Sequence, residues 1–122
     1  MSRTVLQPGP QHPITVEPAA ARITVTAGGT PVADTTAALA LQEAKYPTVY
    51  YIPLADVRSD VLQPSDHTTY CPFKGDASYY SIAIGDGELT DAVWYYPEPY
   101  PAVAAIAGHV AFYANRVDIS VG

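Results

Sequence analysis

The chain has 122 residues, 48% hydrophobic and 15% charged, with ten tyrosines and twelve prolines; at this length such a composition excludes a disordered chain and suits one folded core. Its formal net charge of -6, from six Lys+Arg against twelve Asp+Glu, repels phosphate backbones and disfavours any nucleic-acid polymer as partner. A single cysteine excludes an intramolecular disulfide and a Cys-rich zinc site.

Residues 1–13, MSRTVLQPGPQHP, lack the apolar run of a signal peptide, and three prolines and a glycine make them an extended arm. No stretch approaches ~18 uninterrupted apolar residues, so no membrane span is expected. The expectation is a soluble, cytoplasmic protein of bacterial type, with the arm followed by a single β domain over residues 14–122.

RITVTAGGTPVADT (22–35) is a hairpin, because Arg22, Thr24 and Thr26 alternate with Ile23, Val25 and Ala27 before Gly28-Gly29. DTTAALALQEAKY (34–46) has helical propensity in its alanines and leucines, yet it follows a hairpin directly and alternates, which predicts a long strand. TVYYIP (48–53) is a strand ended by Pro53, and LADVRSDVL (54–62) is a short helix with apolar residues three and four apart. SDHTTYCPFKGD is expected as a loop broken by Pro72 and Gly75. ASYYSIAI (77–84), the turn GDGE and DAVWYY (91–96) form a hairpin. In the last strand Trp94 and Tyr96 face one side, Val93 and Tyr95 the other. PEPYP (97–101) is loop or edge, since proline cannot donate to a ladder. HVAFYAN and RVDISV close the chain. The fold class predicted is mainly β: one antiparallel domain of two packed sheets with one short helix.

Several of these strings together resemble a known family: GGTPVADT, YYIPLADVRSDVLQPSDHTTYCPFKGDASYYSI, AVWYYPEP and IAGHVAFYANRVDI. They are similar to the bacterial domain of unknown function 427 family, also filed under a nucleotidyltransferase-like name, over roughly residues 10–122. The resemblance implies an all-β domain with a tent-like pair of sheets, related in fold to methionine sulfoxide reductase B and the drug-binding domain of cereblon. Leu54, Phe73 and His109 depart from the family pattern. Nucleotidyl transfer itself calls for metal-binding acidic pairs and a phosphate-holding element. The sequence has no Asp-x-Asp pair and no P-loop.

The candidate chemistry centres on CPFKGDASYY. Cys71 is the one available thiol nucleophile, with Lys74 placed to lower its pKa and His67 to act as base. The plainer reading is a small thiol packed under a turn. Lys74 suits a carboxylate or phosphate, and Asp76 suits a hydroxyl or proton. The plainer reading of that pair is a surface ion pair. Arg58 is the best placed of Arg22, Arg58 and Arg116 for an anion, with Asp34 as its partner. Tyr51, Tyr80, Trp94, Tyr95 and Tyr96 exceed what one small core needs, and aromatic grooves with a few charges are common ligand sites. Lys74, Asp76 and Cys71 are therefore the catalytic candidates. Arg58, Tyr51, Tyr80, Trp94, Tyr95 and His67 are the ligand-binding ones. His67 and His109 find no third ligand at a recognisable spacing, so no metal is expected. The leading reading is a small-molecule-binding β domain whose enzymatic status stays open. The alternatives are a nucleotide-acting enzyme, from the family name, and a non-catalytic protein-interaction module. Neither a cofactor nor an oligomeric state is specified.

Overall fold

A computed structural model describes residues 3–122. The strands are β1 (Ile14–Pro18), β2 (Ile23–Ala27), β3 (Thr30–Thr35), β4 (Leu39–Glu43) and β5 (Val49–Pro53). They continue with β6 (Leu62–Cys71), β7 (Gly75–Ile84), β8 (Gly87–Tyr95), β9 (His109–Phe112) and β10 (Asp118–Val121). Seven form one antiparallel sheet in the order β1-β4-β5-β9-β8-β7-β6, and three form a second in the order β10-β2-β3. The mainly β, two-sheet class expected from the sequence is the architecture found.

Period-two alternation divides the large sheet into two faces. Ile52, Ile82, Val93, Val110 and Phe112 pack with Ile23, Val25 and Val32 of the small sheet, which makes the principal core. The intervening residues point the other way. There Leu41, Tyr51, Tyr79, Tyr96 and Ala111 form a second cluster, covered by Val103 and Ile106 of a 3-10 segment at Pro101–Ile106. The hairpin β2–β3 turns through Gly28 and Gly29 at φ of 56° and 83°, a region glycine enters without steric cost.

Three segments differ from expectation. Residues 54–62 are two 3-10 turns, Leu54–Asp56 and Ser59–Val61, rather than one helix. Val57 between them is extended and bridges Ala33, and the Arg58 N–H donates to the Val32 carbonyl at 2.8 Å. Pairing with β3 thus outweighs a helical periodicity too short to sustain itself. Residues 65–71 are strand rather than loop: β6 runs on to Cys71, paired as Thr68↔Ser78 through Cys71↔Gly75. Its threonines and tyrosine suit a pleated ladder, and the proline and glycine punctuate only the tight 72–75 turn. The strand expected over 34–46 is shorter, confined to Leu39–Glu43.

Residues 3–13 lie against that turn. The Leu6 N–H donates to the Pro72 carbonyl at 3.0 Å, and the Tyr70 hydroxyl donates to the Thr4 carbonyl at 2.6 Å. His12 stacks on Phe73 with ring centroids 4.1 Å apart.

Candidate functional site

The second face of the large sheet holds a cavity of about 420 Å³, within the range of roughly 300–1,000 Å³ usual for small-molecule sites. Leu41 and Glu43 of β4, Val49 and Tyr51 of β5, Tyr79 of β7 and Trp94 of β8 line it. Tyr46 and Pro47 close one side, and Lys74, Tyr96 and Tyr113 complete the wall. Adjacent strands place these residues together because each points to the same side of the pleat.

Lys74 supplies the positive charge. It is only 8% exposed, and a lysine so buried needs a partner. Its Nζ lies 2.5 Å from a Glu43 carboxylate oxygen and 3.6 Å from Cys71 Sγ. The other Glu43 oxygen is 2.8 Å from His12 Nε2. Burial pushes the Glu43 carboxyl up, but hydrogen bonds from Lys74 and His12 outweigh it and hold the group below the usual range. The pair is formally neutral, so the cavity presents donors and an acceptor without net charge.

The aromatic walls are tied to one another. Trp94 Nε1 donates to the Tyr51 hydroxyl at 3.2 Å, edge-on to its ring, and the Trp94 and Tyr113 rings are 4.5 Å apart. The Tyr79 hydroxyl bonds Thr69 Oγ1 at 2.9 Å and meets the Tyr113 hydroxyl at 3.4 Å. Burial raises the phenol pKa values of Tyr51 and Tyr96 well above the ordinary value, and pushes that of Tyr113 up to about 12. All three are neutral donors at physiological pH. Tyr96 is 7% exposed and its hydroxyl makes no hydrogen bond among the described residues. No fully enclosed side-chain polar atom among those residues lacks a partner, so this oxygen keeps access to the cavity it lines.

The structure gathers Lys74, Tyr51 and Trp94 at this cavity, with Cys71 against Lys74. His67 packs its ring 4.5 Å from that of Tyr79 but is not among the residues that line the cavity. Other candidates lie elsewhere. Asp76 faces outward, paired with Arg3, whose guanidinium also lies 3.6 Å above the Tyr70 ring. Arg58 pairs with Asp60 at 2.6 Å, beside Pro31 and Asp56, and Asp34 pairs with Arg22 instead. Tyr80 and Tyr95 stack 4.8 Å apart against the principal core, on the opposite face. His109 Nδ1 sits 2.9 Å from the Ala107 carbonyl.

Sequence reasoning missed Glu43, Tyr79 and Tyr113. Glu43 was within reach: the alternation that puts Leu39 and Leu41 on one face puts Glu43 on it too. The signals for Tyr79 and Tyr113 were absent, since their meeting depends on the β7–β8–β9 order.

A family filed under a nucleotidyltransferase-like name, and described as Domain of unknown function (DUF427), matches residues 15–122. No curated protein matches the chain.

Proposed function

The chain belongs to the DUF427 family, whose description carries no activity, and from its own geometry we propose that it binds a small molecule in the cavity between Trp94, Tyr51 and Lys74. The observation that carries this reading is the convergence of six aromatic side chains with a buried Lys74–Glu43 pair on one 420 Å³ space. Aromatic rings supply apolar contact area at low entropic cost, and a few convergent polar groups orient what they hold. The nucleotide-acting alternative has less support. A triphosphate needs cationic excess, and here Glu43 offsets Lys74, the lysine that lines the cavity. Among the described residues no group of three or more His, Cys, Asp or Glu is placed to hold a metal ion.

Trp94 is the only tryptophan, so intrinsic fluorescence reads the site directly. Uncharged aromatic fragments are expected to change its emission saturably in the wild type. In Lys74→Ala the same fragments should bind more weakly. Saturation by Mg-ATP alone, with no response to fragments, would favour the nucleotide reading instead.

A further inference from the structure

The polar groups around this cavity are unequal in kind, and the imbalance defines a ligand class. Tyr96 Oη is an unpartnered hydroxyl on a side chain more than nine-tenths buried. Tyr51 Oη uses a lone pair to accept from Trp94, which leaves its own proton without an acceptor among the described residues. Lys74 gives one N–H to Glu43 and points another at Cys71 Sγ, a weak acceptor at 3.6 Å. Glu43 already serves both Lys74 and His12.

Three donors thus border the cavity with their hydrogens unused or poorly used. These donors open onto the cavity, so a ligand that covers them without offering an acceptor leaves them unpaired at a cost in free energy, which a ligand carrying an acceptor avoids. The Lys74–Glu43 pair cancels in charge, so an anion gains little from the lysine and a cation little from the carboxylate. The remaining wall is aromatic and aliphatic.

We infer that the cavity takes an uncharged molecule with a flat apolar ring and a carbonyl-type acceptor, the acceptor lying among Tyr96, Tyr51 and Lys74. This rests on the small-molecule reading above and narrows it. Tyr96 then provides specificity: it leaves an acceptor-free ring bound less tightly than its carbonyl analogue, because the hydroxyl stays unpaired.

The test is a titration of four ring probes, followed by Trp94 fluorescence: benzamide, benzoate, benzyltrimethylammonium and toluene. Benzamide should bind tightest, and Tyr96→Phe should weaken it about fivefold while leaving toluene unchanged, the loss of one net hydrogen bond. Phenylalanine preserves the ring and its packing, so the variant keeps the fold, which a thermal melt verifies. If benzoate, benzyltrimethylammonium or toluene ranks first, or Tyr96→Phe leaves benzamide unaffected, the ligand class is wrong while the pocket stands. If none of the four binds, the small-molecule reading falls, and the ligand class falls with it.

Discussion

Lys74 and Glu43, thirty-one residues apart in sequence, form an ion pair 2.5 Å long in the wall of an aromatic cavity. The turn after β6 brings one partner and the last residue of β4 the other, so the pair ties the 72–75 turn to the far side of the large sheet. Removing one member of a buried pair leaves the other uncompensated, which costs roughly 3–5 kcal/mol when burial is complete. Glu43 keeps His12 and some solvent contact. Lys74→Ala should therefore destabilise by a smaller amount, about 2 kcal/mol. Glu43→Gln leaves the more deeply buried Lys74 ammonium with only a neutral amide to accept from it, and should cost at least as much, about 2–3 kcal/mol. Denaturant titrations of both variants measure the difference, and an unchanged midpoint for Lys74→Ala would show the pair to be structurally idle.

Acid sensitivity follows from the same carboxylate. A group whose folded pKa is lowered contributes stability that is present above its unfolded value, 4.5 for Glu43. That contribution is lost as pH falls through the folded pKa. Asp34, Asp60 and Asp76 are lowered too, by hydrogen bonds from Arg22, Arg58 and Arg3. These three are exposed, and salt screens them. The melting temperature should hold from neutrality to about pH 5 and drop below it. Glu43→Gln should flatten the drop, and added salt should not.

The alkaline limb has the opposite sign. Tyr51, Tyr96 and Tyr113 have folded pKa values raised by burial, so the stability they contribute is full below about pH 10 and lost above it. Melting temperature should fall as pH rises past 10, and Tyr96→Phe should shallow the fall.

Gly75 opens β7 at a φ of +113°, and a Cβ there would lie 3.3 Å from the Glu98 carbonyl oxygen. Gly75→Ala meets both a disfavoured backbone region and a backbone oxygen that must shift by a few tenths of an ångström, at a cost of about 2 kcal/mol. Gly85, also at positive φ, has nothing within 4 Å. Gly85→Ala should cost about 1 kcal/mol, from the backbone alone. Thermal melts of the two variants separate strain from crowding.

Two of the residues singled out from the sequence serve as controls. Asp76 is committed to Arg3 and Arg58 to Asp60, both at the surface and away from the cavity. Asp76→Asn and Arg58→Ala should leave benzamide affinity within twofold of wild type.

How much of this could be read from the sequence depends on the range of the interaction. Local periodicity placed Trp94 and Tyr96 on one face of their strand, and the Gly28-Gly29 turn placed the first hairpin. Both are decided within a few residues. The Lys74–Glu43 contact is different in kind, because it depends on β4 and β6 lying on opposite sides of β5, β9, β8 and β7. Arg58 looked attractive because it falls in the short helix expected beside the TVYYIP strand. Its true backbone is extended, held by the bridge to β3. Asp76 misled for a related reason: Gly75 reverses the chain so that Lys74 turns in while Asp76 pairs with the N-terminal arm.

The most direct test of the cavity as a binding site is the nuclear magnetic resonance signal of the Trp94 indole N–H. It is the only indole in the chain, and it donates to Tyr51 at the cavity wall. Addition of benzamide to isotope-labelled protein should move that resonance together with the backbone amides of Lys74 and Tyr96, along one saturating curve. A Trp94 resonance that stays fixed while benzamide shifts signals elsewhere, or shifts none, would contradict the account.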